Sequence, residues 1–343
     1  MLTLEAFFQG VPFERSHERC QHTRGGPIKI MVLGAGVQGT LYGVRLAREG
    51  HDVTLIAHAA RAAELRQRGA IIEDALSGRT ETARLAIEEH LVPTAEAAVC
   101  LVTVRREQIQ EVLSDLAAAT AISRIVFMVN HANGSESIFN ALSRSRVVLS
   151  FPGAAGSIDN GVDRYVEIKQ QPTAVESSAP DIVSLFRGAG FRVTRVSDMD
   201  AWLRRHAVFV TAVAGALYEE GGDAGRLAAS PEGVSTFIEA VREGWAALDR
   251  QHVQAAPVAL RTIISSVPLP FAISYWSRLL GSERGDLYFA QHARHAPVEM
   301  AALAADVREF LGRVPTPRLD GLYAAIDRAA VYSPMQQADY SSN

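Results

Sequence analysis

Three glycines, Gly34, Gly36 and Gly39, stand in G-x-G-x-x-G spacing within Lys29-Ile30-Met31-Val32-Leu33-Gly34-Ala35-Gly36-Val37-Gln38-Gly39. The apolar run before them reads as a buried strand. Thr40–Glu49 behind them is helix-compatible, and a second β-rich run, Asp52–Ala57, follows. Strand, glycine turn, helix and strand in that order form the βαβ unit that binds a dinucleotide. Each glycine has a mechanical task there: Gly34 permits the tight turn, Gly36 lets backbone approach a pyrophosphate, and Gly39 lets the helix pack closely on the strand. Free N–H groups and the positive dipole end of the helix then face the phosphates. Gly34, Ala35, Gly36, Val37, Gln38 and Gly39 are therefore expected to hold a cofactor.

The end of the second strand bears on which cofactor. An NAD reader carries an Asp or Glu there for the ribose diol. This chain has Ile56-Ala57-His58, with Arg61 following, and no carboxylate. Arg61 and His58 could pair with a 2′-phosphate, so the expectation is NADP.

These residues need a scaffold, and the chain alternates strand and helix from Pro27 to about Val196. Expected strands are 28–33, 52–57, 99–104, 124–129, 146–151, 165–169 and 191–195, with helices such as 61–68 and 107–117. Such alternation implies a Rossmann-type, doubly wound, mainly parallel sheet with helices on both faces. After about Asp198 helical patterns dominate (201–220, 231–252, 257–265, 297–312, 319–329), so an all-helical C-terminal domain is expected. The expected division is a flexible N-terminal extension (1–26), an NADP-binding domain (27–196), a helical substrate and dimerisation domain (197–331) and a polar tail (332–343). A cleft should lie at the carboxyl ends of the strands.

The 343-residue composition, 48% apolar and 21% charged with a net charge of −4, is that of a globular protein with no basic stripe for nucleic acid. Its best apolar segment, Ala207–Leu217, has about half of the ~20 residues that a membrane span needs. Two cysteines suggest no disulfide framework: Cys100 sits in an apolar run and Cys20 in a polar one. A cytoplasmic setting, a small-molecule substrate, no nucleic-acid or membrane partner and a homodimer are the expectations.

The chain resembles the ketopantoate reductase (2-dehydropantoate 2-reductase) family over about Ile28–Ala330. Leu101-Val102-Thr103-Val104-Arg105 is similar to that family's strand ending in T-x-K. Val129-Asn130-His131-Ala132-Asn133-Gly134 is similar to its "NG" loop, and His295-Ala296-Pro297-Val298-Glu299-Met300 to its T-E-I-D segment. Val314-Pro315-Thr316-Pro317 resembles its late "TP" turn. The family's long helix carries a Lys that donates a proton to the keto oxygen and two Asn residues that hold substrate. Anchoring on Trp202 puts Arg204 at the Lys position and Val208 and Ala212 at the Asn positions. Anchoring on Ala207-Val208 gives Arg205, Phe209 and Val213 instead. Neither frame keeps a Lys or an Asn, and the family's Ser is lost within Gly285–Tyr288, which points away from ketopantoate as substrate.

The resemblance implies hydride transfer between a nicotinamide and a carbonyl, which builds negative charge on oxygen. Arg204 or Arg205 could stabilise that charge or bind a carboxylate, and His206 could act as the acid because an imidazole titrates near neutrality. Glu299 matches the family's substrate-contacting Glu. His292 and His295 precede it at i−7 and i−4, one helical face if the helix reaches back that far. That face can be a polar cleft wall, a solvated face or, with a further ligand, a metal site; no metal is expected. Asn130 reads as a substrate-orienting residue or a plain turn residue, and Arg105 as a cofactor or substrate anion contact. The leading expectation is an NADP-dependent oxidoreductase acting on a small carboxylated carbonyl or alcohol. Its rivals are an NADP-binding sensor or scaffold without turnover, and an imine reductase whose larger substrate would lie on Val208, Phe209 and Ala212.

Overall fold

Strand β1 (Lys29–Leu33) is apolar on both sides because both its faces are covered: only Lys29 of its five residues is exposed. The structure, a computed structural model, describes residues 26–340 apart from 131, 254 and 256. The extension expected over 1–26, save Gly26, lies outside the described residues, and Cys20 with it.

From β1 the chain enters α1 (Val37–Arg48) and β2 (Asp52–Ile56), then α2 (Ala59–Arg68). Next come β3 (Ala70–Asp74), β4 (Thr80–Ala83), β5 (Ala86–Glu88), β6 (Ala97–Val102), α3 (Ile109–Ala118), β7 (Ile122–Phe127), α4 (Glu136–Ala141) and β8 (Val147–Phe151). The main sheet has the spatial order β5-β2-β1-β6-β7-β8, all parallel, the doubly wound order of dinucleotide-binding domains. Two further strands, β11 (Thr173–Glu176) and β12 (Val193–Val196), extend it past β8, with β11 antiparallel to β8. The chain turns opposite ways on leaving β1 for β2 and on entering β6, so ligands of this topology bind beyond Leu33 and Val102.

The sequence reading did not anticipate a second sheet, β4-β3-β10-β9, with β9 at Ala154–Asp159 and β10 at Val162–Glu167. The run expected as a main-sheet strand over 165–169 belongs to β10. This sheet packs on α1: a Cβ at Gly156 of β9 would stand 2.9 Å from Val37 Cγ1. Arg45 of α1 is ion-paired to Glu167 and donates to Tyr165 Oη at 2.9 Å, both on β10. The β9–β10 hairpin turns through Asn160-Gly161, both with positive φ (48° and 80°), the two-residue loop that matches strand twist. Gly161 lies so close to α2 that a Cβ would sit 2.2 Å from Glu64 Oε1.

After α5 (Pro180–Gly188) and β12, the chain is helical. Helix α6 (Met199–Glu219) starts where Asp198 accepts from Ala201 N at 2.9 Å, and it is buried along most of its length. It packs against α7 (Pro231–Arg250) and α10 (Pro317–Tyr340), the latter so closely that a Cβ on Gly215 would come within 2.6 Å of Leu322 O. Helix α8 (Leu269–Leu280) and α9 (Pro297–Leu311) complete the layer. Thr262–Ser266 and Asp286–Ala290 are π-helical. Among the described residues no helix is long and apolar enough to cross a membrane, and Cys100 is fully buried.

Candidate active site

The three glycines of the turn have different surroundings. Gly34 leaves β1 at φ +112°, and a Cβ there would lie 2.9 Å from the Thr103 carbonyl carbon and the Val104 nitrogen. At Gly39 a Cβ would lie 1.9 Å from Gly34 O and 2.6 Å from Thr103 Oγ1, whereas at Gly36 nothing stands within 4 Å. Protein fills the space beside the first and third, and the middle one faces open space. Helix α1 begins at the next residue with no side-chain cap and no acid in its first turn, leaving its N–H groups and dipole for an anion. Thr103 braces the turn from β6, its Oγ1 donating to Gly34 O at 2.8 Å and its N–H to Leu33 O at 2.9 Å. The residues present thus fit a diphosphate beside Gly36. Gln38 donates Nε2–H to Ala154 O at 2.7 Å, and its Oε1 is buried without a partner.

At the far end of this groove Arg61 is not free. Its Nε donates to Ala35 O at 3.2 Å and its Nη1 to Glu64 Oε2 at 2.6 Å, while Nη2 is ion-paired to Asp163 of β10. The expected NADP preference assumed an unpaired guanidinium; here two carboxylates match its charge. Asp163 is wholly buried, and burial raises its carboxyl to about 6 against the pull of Arg61. His58 is exposed just ahead of α2. Arg105 is exposed beyond β6, and Gln108 Oε1 accepts from its backbone N–H at 3.1 Å.

Beyond β7, the loop Asn130–Ser135 joins the sheet to the helices. Asn133 donates to Asp306 Oδ1 of α9 at 2.8 Å, Arg106 is ion-paired to the same Asp306, and Ser135 Oγ donates to Asp200 of α6 at 2.8 Å. Ser135, Asp200 and Asp306 were not singled out from the sequence; only the "NG" spacing hinted at this loop. Asn130 is half-buried, and its Oδ1 is buried with no partner. Arg204, one turn beyond Asp200, lies against the same loop: its Nη2 would be 3.5 Å from a Cβ at Gly134. Its guanidinium stands over the Phe310 ring at 5.7 Å, and its Nε is buried with no partner. Arg204 and Asn130 thus bring unsatisfied polar groups to the ends of the strands.

The neighbouring residues correct three expectations. Arg205 is 3% exposed, ion-paired to Asp249 and doubly bonded to Val253 O (3.0 and 2.6 Å), with its guanidinium over Trp245. It fastens α6 to the end of α7 and is not available to a substrate. Of the two frames for the long helix, only the one anchored on Trp202 therefore puts an Arg at the loop. His206 is 3% exposed, stacked on Trp202 at 5.1 Å and edge-on to Phe151 at 4.4 Å. Burial lowers its imidazole to about 3, so it is neutral near pH 7 and holds no proton for a general acid to give. The face proposed to run from His292 through His295 to Glu299 is broken, because the helix Gln291–His295 ends at Ala296 before α9 begins. His292 Nε2 still comes to 4.0 Å from Glu299, but His295 is turned to Gln291 O at 2.7 Å. Among the described residues no group of three or more His, Cys, Asp or Glu is placed to hold a metal. Val208 and Ala212 are fully buried and Phe209 nearly so, in the helical core. They offer no wall to a large apolar substrate.

The doubly wound sheet, the braced glycine turn and the helical second half define a Rossmann-type protein with a helical C-terminal part. The family model described as ketopantoate reductase PanE/ApbA matches residues 30–162, within the first of the two parts. Solved structures share its fold. A PanE/ApbA family ketopantoate reductase from Ralstonia eutropha JMP134 is 19% identical, covering 88% of this chain and 98% of its own at a TM-score of 0.67. A 2-dehydropantoate 2-reductase from Geobacter metallireducens GS-15 is 13% identical, covering 88% and 99% at a TM-score of 0.69. D-mandelate dehydrogenase, solved with NADH and anilino(oxo)acetate, is 15% identical, covering 88% and 98% at a TM-score of 0.68. No curated protein matches the chain in sequence. These likenesses give the fold, and no particular substrate with it.

Proposed function

We propose that this protein reduces the carbonyl of a small carboxylated molecule, or oxidises the matching alcohol, using a nicotinamide dinucleotide held at the Gly34–Gly39 turn. The observation that carries this reading is Arg204: a cation with no ion-pair partner among the described residues, with a buried, unpartnered Nε, set against the loop after β7 where the resemblance puts the family's Lys. A bound nicotinamide supplies the hydride. Arg204 holds the growing oxyanion or the adjacent carboxylate by charge-assisted hydrogen bonds and keeps its own proton throughout. Asn130 orients the substrate through its unsatisfied Oδ1. Glu299 lines the opposite wall, and Arg105 meets an anionic group beside β6. With His206 neutral, the proton that completes an alcohol comes from solvent. The nucleotide-binding part (27–196) and the helical part (197–331) meet at this cleft, in a cytoplasmic protein with no nucleic-acid or membrane partner.

The test is to titrate purified protein with NADH and NADPH while following nicotinamide fluorescence, then to assay both against a panel of 2-oxo acids, aldehydes and imines. Turnover of a 2-oxo acid supports the reading, and failure to bind either dinucleotide ends it. One observation favours a second reading, binding without turnover: Val208 and Ala212, at the positions of the family's Asn pair, are core residues with no polar group to offer. Stoichiometric binding with no oxidation across the panel would establish that version.

A further inference from the structure

The cation best placed to meet a 2′-phosphate is Arg61, on α2 one turn past the end of β2. It bonds to Ala35 O of the glycine turn, so it stands beside the cofactor groove. Its partners come from two directions. Glu64 reaches it within α2, and Asp163 reaches it from β10, about a hundred residues further along the chain. That second pairing is built into the fold. The Asn160-Gly161 turn is seated on α2, where Arg68 Nη1 donates to Asn160 O at 2.7 Å. Two residues on, Asp163 is held inside the second sheet, 0% exposed, with Arg61 as its cation and the Thr40 hydroxyl beside it. A buried carboxylate with one cation depends on that cation for its charge.

We propose that Asp163 is a cofactor-specificity residue: by holding Arg61 in an ion pair, it sets this protein against the 2′-phosphate and toward NADH. The carboxylate absent from the end of β2 is thus supplied by β10. It touches no ribose and acts through Arg61. A 2′-phosphate arriving here meets a guanidinium whose charge is already matched, with Glu64 and Asp163 behind it. To bind, it must draw Arg61 away and leave the Asp163 carboxylate buried without its cation. NADH makes no such demand. The inference rests on the dinucleotide reading given above and adds to it a residue and a preference.

The test is the ratio of dissociation constants for NADPH and NADH, measured by nicotinamide fluorescence on wild type, Asp163→Asn, Glu64→Gln and the double variant Arg61→Gln/Asp163→Asn. Wild type should bind NADH more tightly. Asp163→Asn should shift the ratio toward NADPH at least ~10-fold, about 1.4 kcal/mol. The double variant should lose that shift, because the freed cation is gone. Glu64→Gln, a partly exposed position on a helix, should move the ratio the same way by a smaller factor. It keeps the proposal open to refutation if Asp163→Asn does not fold. A ratio unchanged from wild type in Glu64→Gln and in folded Asp163→Asn overturns the proposal while leaving the dinucleotide reading intact. A wild type that binds neither dinucleotide overturns both.

Discussion

Replacing Gly36 and Gly39 separately by alanine separates ligand space from packing space in the glycine turn. At Gly39 the new Cβ would stand 1.9 Å from Gly34 O and 2.6 Å from Thr103 Oγ1. Neither can retreat easily, since Gly34 O is turn backbone and Thr103 Oγ1 is bonded to it. Helix α1 must back away from β1, and overpacking of this kind costs ~1–3 kcal/mol, occasionally more. At Gly36 no atom stands within 4 Å and φ is −76°, ordinary for alanine. The expected cost is that of a poorer helix N-cap, ~0.5–1 kcal/mol. The Gly36→Ala methyl nonetheless occupies the space where a diphosphate would rest, so dinucleotide affinity should fall at least ~30-fold, about 2 kcal/mol. Urea unfolding and fluorescence titration read the two effects independently. Gly36→Ala should unfold close to wild type yet bind poorly, and Gly39→Ala should be clearly destabilised. Wild-type affinity for NADH or NADPH in Gly36→Ala would refute the placement of the diphosphate at α1, and the redox reading with it.

Arg204→Met should lower kcat/KM for a carboxylated substrate by ~10²–10³, the usual loss on removing a donor to a developing oxyanion, while the dinucleotide Kd stays within about twofold; steady-state kinetics beside the binding titration checks this. Arg205→Met should do the reverse. It removes a buried ion pair and two hydrogen bonds, but Asp249 is 59% exposed, so the destabilisation is ~1–3 kcal/mol, below the full cost of breaking a buried pair, and turnover of the folded protein persists. His206, lowered by burial to about 3, stays neutral in the folded chain while the unfolded chain takes up a proton near pH 6.5. Stability is therefore lost as pH falls from about 6.5 toward 3, at up to ~1.4 kcal/mol per pH unit, and His206→Gln should flatten that limb in unfolding measurements. Asp163 has the opposite sign: raised to about 6, it keeps its proton in the folded chain after the unfolded one has given it up. It therefore subtracts stability as pH rises from about 4 to 6, and Asp163→Asn should remove that dependence.

The parts legible in the sequence were those with strong periodicity or a spacing with one mechanical meaning. β1, the glycine turn, α1 and β2 appear where the motif puts them, and α6, α7 and α9 lie within two residues of their expected ends. The second sheet was not seen, because β3, β4 and β9 are short and half-exposed, and their polar residues give no clean alternation. One signal was there to be used: Asn160-Gly161 between Ser157-Ile158-Asp159 and Val162-Asp163-Arg164 is a hairpin turn by its residue types alone. Site roles were harder to read, because three consecutive residues, Arg204, Arg205 and His206, point in three directions around α6. Types and order could not say which of them meets the loop after β7, which meets α7 and which enters the aromatic cluster. Arg61 was read as a cation just past β2 that could meet a 2′-phosphate, but its Asp163 partner depends on a sheet that the sequence reading lacked.

The Rossmann-type and helical parts are joined along two seams. One seam is the loop after β7, bonded to α6 and α9 through Ser135–Asp200 and Asn133–Asp306. The other runs from Tyr288, whose hydroxyl donates to Glu167 O at 3.4 Å, to Phe151 packed on Trp202 and His206. A clamshell motion about one seam must tear the other. Relative movement of the two parts therefore costs contacts at both seams at once.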